Sequence, residues 1–159
     1  MRFAQKICVS RKVCNFLEFY RYSILVNEIE RRWRMFVAVV SPDRSYARRL
    51  GDDILDACLR RGCYSTFIDY TADDEFLGAL REREFGTVIL EIQGENEWRI
   101  AQTVVAVRPQ AKLILLGSNE AAVKGYALNA DLCSPVHPKE DELNRIVQII
   151  FPIGKEDAV

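Results

Sequence analysis

The sequence has few of the residues that metal sites and disulfide scaffolds require. Among its 159 residues there is a single histidine, His137. The five cysteines, none of them in a CxxC pair, are Cys8, Cys14, Cys58, Cys63 and Cys133. An odd number of scattered thiols is typical of a reducing compartment, so we expect a cytoplasmic protein. Because metals such as zinc need clustered nitrogen and sulfur ligands, we expect no metal site and no cofactor.

Long apolar runs and a strong net charge are also absent. No apolar stretch approaches the roughly 20 residues that a membrane-spanning helix needs. The N-terminus lacks the continuous apolar core of a signal peptide. The formal net charge of −1 gives no electrostatic reason for the whole chain to bind nucleic acid. The sequence therefore predicts neither membrane insertion nor direct nucleic-acid binding.

Charge is distributed unevenly along a chain long enough for one domain with a core. Residues 1–34 carry eight basic and three acidic side chains, a net charge of +5, which leaves −6 for the remainder. We interpret residues 1–34 as an N-terminal extension that is helical or disordered. A dimerising helix, and an arm that binds a membrane surface or nucleic acid, stay open as alternatives for this extension.

From residue 35 onward, short apolar segments alternate with amphipathic segments of about a dozen residues. Strands are expected at 36–40, 64–70, 87–92, 112–116 and 131–136. Helices are expected at 44–61, from 71 or 73 to about 80, and at 96–107, 120–128 and 139–151. Such alternation specifies right-handed parallel βαβ units. We predict an α/β fold over residues 35–151, a doubly wound five-stranded parallel sheet of the flavodoxin-like order 2-1-3-4-5, followed by a tail at 152–159.

The central strand, at 87–92, is a short apolar run with one carboxylate near its end, Glu91. In this fold the ligand crevice lies over the carboxyl ends of strands one and three. We therefore expect Glu91 to lie beside Ser41, Pro42 and Asp43, which follow strand one. No glycine-rich phosphate loop stands at that turn, which argues against a nucleotide or flavin site.

Several local phrases between residues 35 and 151 resemble the receiver domains of bacterial response regulators. SPDRSYARRL fills the turn after strand one, and EFGTVILEI is similar to the third strand of the family. RPQAKLILLGS is similar to its fourth strand, and LNADLCSPVHP to the stretch before its last helix. The resemblance implies a receiver fold and a role in two-component signal transduction.

The resemblance also implies that the phosphorylation residues have been replaced. Active receivers hold Mg²⁺ with two acids after strand one and with a phosphoacceptor aspartate that ends strand three. Here the acid pair corresponds to Ser41 and Pro42, and we expect the next residue, Asp43, to cap the following helix rather than to reach a metal. Glu91 stands at the phosphoacceptor position, and its extra methylene carries the carboxylate about 1.5 Å further out.

The remaining positions of the phosphorylation site differ as well. The hydroxyl that ends strand four in active receivers corresponds to Gly117, with Ser118 beside it as a possible substitute. The lysine that precedes proline after strand five corresponds to His137. One hypothesis is a contact between Glu91 and His137 in place of the family's contact between acid and lysine; a solvated Glu91 at the crevice edge is the other.

These replacements predict a pseudo-receiver, a signalling module that is not an enzyme and acts by protein–protein contacts without aspartyl phosphorylation. Two alternatives stay open: an atypical receiver that still accepts a phosphoryl group, and a flavodoxin-like domain that binds a small molecule. We expect a protein partner or a second copy of the chain to bind the last two βα units or the N-terminal extension. The mixed charges of the last two units are most often typical of a solvated face, and reciprocal salt bridges between two copies are the alternative.

Overall fold

Five parallel strands alternate with five helices in the computed structural model, which describes residues 36–152. The strands are β1 (Phe36–Ser41), β2 (Thr66–Thr71), β3 (Thr87–Glu91), β4 (Lys112–Leu116) and β5 (Leu132–Ser134). The helices are α1 (Arg44–Arg60), α2 (Asp74–Glu82), α3 (Glu95–Val107), α4 (Asn119–Ala127) and α5 (Glu140–Ile150). The predictions for residues 1–34 and for the tail beyond Pro152 lie outside the described residues.

All strands are parallel and lie in the order β2-β1-β3-β4-β5. The predicted doubly wound sheet is therefore confirmed, and the ends of its elements differ from expectation by a few residues at most. None of the helices in the described part of the chain has the length and hydropathy of a membrane span.

Each face of the sheet is covered by its own apolar layer. Alternate strand residues point to opposite faces, so Val37 and Val39 pack with Ile54 of α1 and Ile146 of α5. The residues between them pack on the opposite face with α2 and α3, around Phe76. Full burial of one such aliphatic side chain stabilises the fold by roughly 1.5–3 kcal/mol. These two layers explain why the strands are apolar throughout instead of alternating with polar residues.

The strand register places one row of residues across the carboxyl edge of the sheet. Val40 pairs with Leu90, which sets Ser41 beside Glu91. Leu116 pairs with Glu91 on one side and with Ser134 on the other. Because residues two positions before them pack on the face covered by α1 and α5, the side chains of this row belong to that face too.

Strand β5 is shorter than predicted, with three residues instead of the expected span 131–136. Pro135 has no backbone N–H, so the hydrogen-bonded ladder cannot continue past Ser134. At the other end, the Asp131 carboxylate accepts a hydrogen bond from the Leu113 backbone N–H at 2.8 Å. Asp131 is thereby held in the turn before the strand.

Candidate functional site

Ser41 and Glu91 form a direct, buried contact at the ends of β1 and β3. The Ser41 hydroxyl donates a hydrogen bond to Glu91 Oε1 at 2.6 Å. Ser41 is fully buried, and only 4% of Glu91 is exposed. The same serine oxygen accepts a hydrogen bond from the Asp43 backbone N–H at 3.0 Å. The structure thus brings the predicted strand-end residues together, with Glu91 bonded to the strand beside it and not solvated.

Asp43 is used at the start of α1, as the sequence predicts. Its side chain accepts a hydrogen bond from the backbone N–H of Ser45 at 3.0 Å, and Asp43 is the residue that caps the helix. This contact satisfies one of the four N–H groups that the first turn of a helix leaves without a partner. Pro42, between Ser41 and Asp43, is exposed and offers no side-chain oxygen.

Gly117, at the hydroxyl position after β4, has no room for a side chain. A Cβ atom built there would lie 2.8 Å from the Cβ of Ala121 and 3.3 Å from the carbonyl oxygen of Ile92. The Gly117 N–H donates to the Ser134 carbonyl at 3.0 Å. The neighbouring Ser118 caps α4, where its hydroxyl accepts a 3.4 Å hydrogen bond from the Ala121 N–H. The serine hydroxyl is therefore engaged at the helix start.

His137 makes no hydrogen bond or ion pair with Glu91, so the hypothesis of a contact between them is wrong. No ion pair joins the two side chains in the described part of the chain, where the carboxylate of Glu91 is bonded to Ser41. The imidazole is exposed and meets the ring of Tyr46 edge-on, with 5.9 Å between ring centroids. Because β5 stops before Pro135, His137 is carried three residues past the strand end into the following loop.

Ser134, which the sequence reasoning missed, occupies the strand-end position that was assigned to His137. It is the last residue of β5, only 6% of it is exposed, and its hydroxyl has no hydrogen-bond partner among residues 36–152. A second proline, Pro135, directly follows it in the sequence. That Ser-Pro step was the available signal, because proline ends a strand as effectively there as at position 138.

Tyr46 of α1 is the second missed residue, and it connects the helix to the loop after β5. Its hydroxyl donates to the carbonyl of Val136, next to His137. Burial, and after it the negative charge of Glu91, raises the pKa of Tyr46 above the ordinary value for tyrosine. The phenol therefore stays protonated and remains a donor. A tyrosine on the apolar stripe of a helix gives no sequence signal for such a role.

Two side chains, those of Arg44 and Asn96, make polar contacts between neighbouring elements near the crevice. Arg44 Nε lies 3.0 Å from Asp69 Oδ2, and Arg44 Nη1 lies 3.5 Å from Glu75 Oε2, so one guanidinium joins α1, β2 and α2. The side-chain amide of Asn96 on α3 donates to the Ala72 carbonyl at 3.1 Å. Across residues 36–152, no group of three or more His, Cys, Asp or Glu side chains is arranged to hold a metal ion.

No family model matches the sequence, and no curated protein matches it. Solved structures do match. A CheY-like response regulator receiver domain protein from Methanospirillum hungatei is 20% identical, over 76% of this chain and 97% of that one, with a TM-score of 0.57. The BeF3-activated receiver domain of DrrB is 23% identical over 73% and 97% of the two chains, with a TM-score of 0.54. The chain has the receiver-domain fold.

A structure of the response regulator DrrB, a Thermotoga maritima OmpR/PhoB homolog, also matches this fold. It is 20% identical over 70% of this chain, with a TM-score of 0.52. The match covers 48% of that DrrB chain, so this chain spans about half its length. The apolar layers and the strand order thus establish the receiver fold. The chemistry of the site depends on the residues at the strand ends.

Proposed function

We propose that this chain is a pseudo-receiver, a non-enzymatic signal-transduction module of the two-component type that works in the cytoplasm without aspartyl phosphorylation. The buried hydrogen bond of 2.6 Å between Ser41 and Glu91 carries the proposal. It commits the acid at the end of β3 to a neighbouring strand, at the place where the resemblance puts a phosphoacceptor.

The chemistry of magnesium supports this proposal. Mg²⁺ takes hard oxygen ligands in a tight octahedron. At the end of β1 the two acids of an active receiver are replaced by a serine bonded to Glu91 and by a proline. The nearest carboxylate, that of Asp43, caps α1. The donor set that remains does not fit the ion.

The stabilisation of a transferring phosphoryl group is the second support. Its oxygens need positive charge or donors placed around them. The end of β5 presents the neutral hydroxyl of Ser134, and the end of β4 presents Gly117, where a Cβ would lie 2.8 Å from Ala121. The end of β5 therefore lacks the positive charge, and Gly117 at the end of β4 lacks the hydroxyl, that active receivers have at these positions.

Intact mass measurement after incubation with acetyl phosphate and Mg²⁺ tests the proposal. We expect no phosphoryl adduct at times when the DrrB receiver domain, treated in parallel as the positive control, is modified. An adduct that disappears in E91Q would overturn the proposal and make this an atypical phosphoacceptor. An adduct that persists in E91Q would overturn it as well, with the acceptor at another residue.

We further propose that the output of the module is a contact with a protein partner or a second copy of the chain through the last two βα units. Val123 and Tyr126 support this assignment: they lie about one turn apart on α4 and are 73% and 87% exposed. Large apolar side chains exposed together are typical of interaction sites. The N-terminal extension remains the alternative contact.

Sedimentation of the chain, alone and with any partner that co-purifies from its native cell, tests this second part. Y126A combined with V123A should weaken the association at least tenfold. L59A, which changes an exposed leucine at the end of α1, is the matched control and should leave it unchanged. E91Q should also leave it unchanged, because the proposed contact needs no phosphoryl group. Equal effects of all variants would contradict the assignment.

A further inference from the structure

The end of α1 brings two cysteines together through its backbone. Gly62 has a left-handed conformation, with φ of 73°, and its N–H donates to the Leu59 carbonyl at 3.0 Å. The N–H of Cys63 donates to the Cys58 carbonyl at 2.9 Å. These two bonds form a Schellman motif, which folds the residue after the glycine back over the last turn of the helix. In this motif the two residues joined by the bond that spans more residues, here Cys58 and Cys63, commonly make a side-chain contact.

The thiols lie in the same apolar layer. Cys58 is fully buried among the residues that cover the α1 side of the sheet, and Cys63 is partly buried against that same layer. Cys63 Sγ lies 3.8 Å from the carbonyl oxygen of Arg61, near the surface. Burial, and after it the interaction with Cys63, raises the pKa of Cys58 to about 11. One thiol is therefore accessible to solvent while its neighbour is shielded.

Cys133, the third cysteine of the described residues, is placed elsewhere. It packs against the opposite layer, on the face covered by α2 and α3, and its Sγ lies 3.8 Å from the Ala122 carbonyl oxygen. The sheet separates it from the thiols at the end of α1. Any pairing between described cysteines is thus restricted to Cys58 and Cys63.

We propose that Cys58 and Cys63 are an oxidation site, at which a peroxide converts the two thiols into an intramolecular disulfide. This assignment is independent of the function proposed for the strand ends. The two cysteines lie at the opposite end of the strands, where the chain passes from α1 to β2. The disulfide would form within the Schellman motif.

The reaction balances with a peroxide as the only oxidant. The Cys63 thiolate attacks one peroxide oxygen, the O–O bond breaks, and Cys63 becomes a sulfenic acid while the second oxygen leaves as water after protonation. The Cys58 sulfur then attacks the Cys63 sulfur, and the S–O bond breaks. The hydroxide that leaves Cys63 combines with the proton that Cys58 has lost, which gives a second molecule of water. Two electrons pass from the sulfurs to the peroxide, which is reduced.

The exposure of the two thiols sets their order in this reaction. Cys63, partly open to solvent, meets the peroxide, and the buried Cys58 resolves the sulfenic acid. Because the raised pKa of Cys58 keeps its thiolate scarce near neutral pH, the second step is slow there. With peroxide in excess and at pH values below that pKa, we expect the rate of disulfide formation to rise about tenfold for each unit by which the pH is raised.

Tryptic mapping of the full-length chain tests the assignment. Arg60 and Arg61 lie between the two cysteines, so trypsin separates them unless a disulfide holds the peptides together. After hydrogen peroxide treatment, alkylation of the remaining thiols and digestion without reductant, we expect peptides 50–60 and 62–81 joined and lighter by two hydrogens. A monomeric band on a non-reducing gel will establish that the link lies within one chain.

The control variants separate this site from general oxidation. C63S, at a partly exposed position, and C58A should each abolish the linked peptide, whereas C133S should leave it unchanged. Alkylated Cys58 beside a Cys63 sulfinic acid in the wild-type chain would overturn the proposal. A linked peptide whose formation rate does not change from pH 7 to pH 9 would overturn the assigned order of the two thiols.

Discussion

Two strand ends at one edge of the sheet place polar side chains in opposite situations. At the end of β3, the buried Glu91 carboxylate receives a hydrogen bond from Ser41. At the end of β5, the equally buried Ser134 hydroxyl has no partner among residues 36–152. A specific polar bond therefore joins β1 to β3, whereas the hydroxyl at the end of β5 makes no hydrogen bond to the described residues.

Ser41→Ala removes the hydroxyl that donates a hydrogen bond to Glu91, and it should have the largest effect. The variant leaves a buried carboxylate without its donor, and a buried group that loses its partner costs about 1–3 kcal/mol, or more when charged. We expect a loss of about 3 kcal/mol in the free energy of unfolding, measured by urea denaturation.

The matched control is S41A made in an E91Q background, where the acceptor is neutral. We expect the double variant to lose less than the sum of the two single losses, because the contacting residues are coupled. Strict additivity would mean that the Ser41–Glu91 bond does not stabilise the junction.

Gly117→Ser tests whether a side chain can be placed at the end of β4, the strand between β3 and β5. The new Cβ would lie 2.8 Å from the Ala121 Cβ, and overpacking of this kind costs about 1–3 kcal/mol. We expect thermal unfolding to report a loss of about 2 kcal/mol. The loss should be smaller when G117S is made in an A121G background, since the clashing methyl is then absent. A wild-type melting temperature for G117S alone would contradict the steric account.

Tyr46→Phe tests the link between α1 and the loop after β5. Removing the hydroxyl that donates to Val136 should cost about 1 kcal/mol at neutral pH. The pKa of Tyr46 is higher in the folded state than in the unfolded state, where it is about 10. Above pH 10 the unfolded state therefore loses its proton first, so stability falls as pH rises. Urea denaturation from pH 9 to pH 11 will measure this loss. The free energy of unfolding should fall less steeply with pH in Y46F than in the wild-type chain.

Ser134→Ala removes the buried hydroxyl at the end of β5 and should have the smallest effect. Because the hydroxyl has no partner to lose, the change should alter the free energy of unfolding by no more than about 0.5 kcal/mol, and in the stabilising direction. A loss as large as that of S41A would mean that the two strand ends do not differ.

The fold could be predicted from sequence because its determinants are local. Apolar strands buried on both faces, regular helices and the Asp43 cap can each be recognised within a short window. The meeting of Ser41 with Glu91 followed from the strand order alone.

The rest of the site depends on distances that no local pattern encodes. The strand end at Ser134 is the exception, because Pro135 marks it locally; taking the later proline as the end of the strand leads to the wrong assignment of His137. The Tyr46 bond to Val136 joins residues 90 positions apart. The closeness of Ala121 to Gly117 depends on how α4 packs. Such side-chain placements follow from packing between elements and not from periodicity.

We propose that the Ser41–Glu91 hydrogen bond occupies the place where an active receiver binds its metal ion. The most direct test is an NMR titration of the chain with Mg²⁺ and beryllofluoride, following the backbone amides of Ser41, Asp43 and Glu91. We predict that these resonances stay unchanged at concentrations that saturate the DrrB receiver domain. Saturable shifts confined to these amides would contradict the claim.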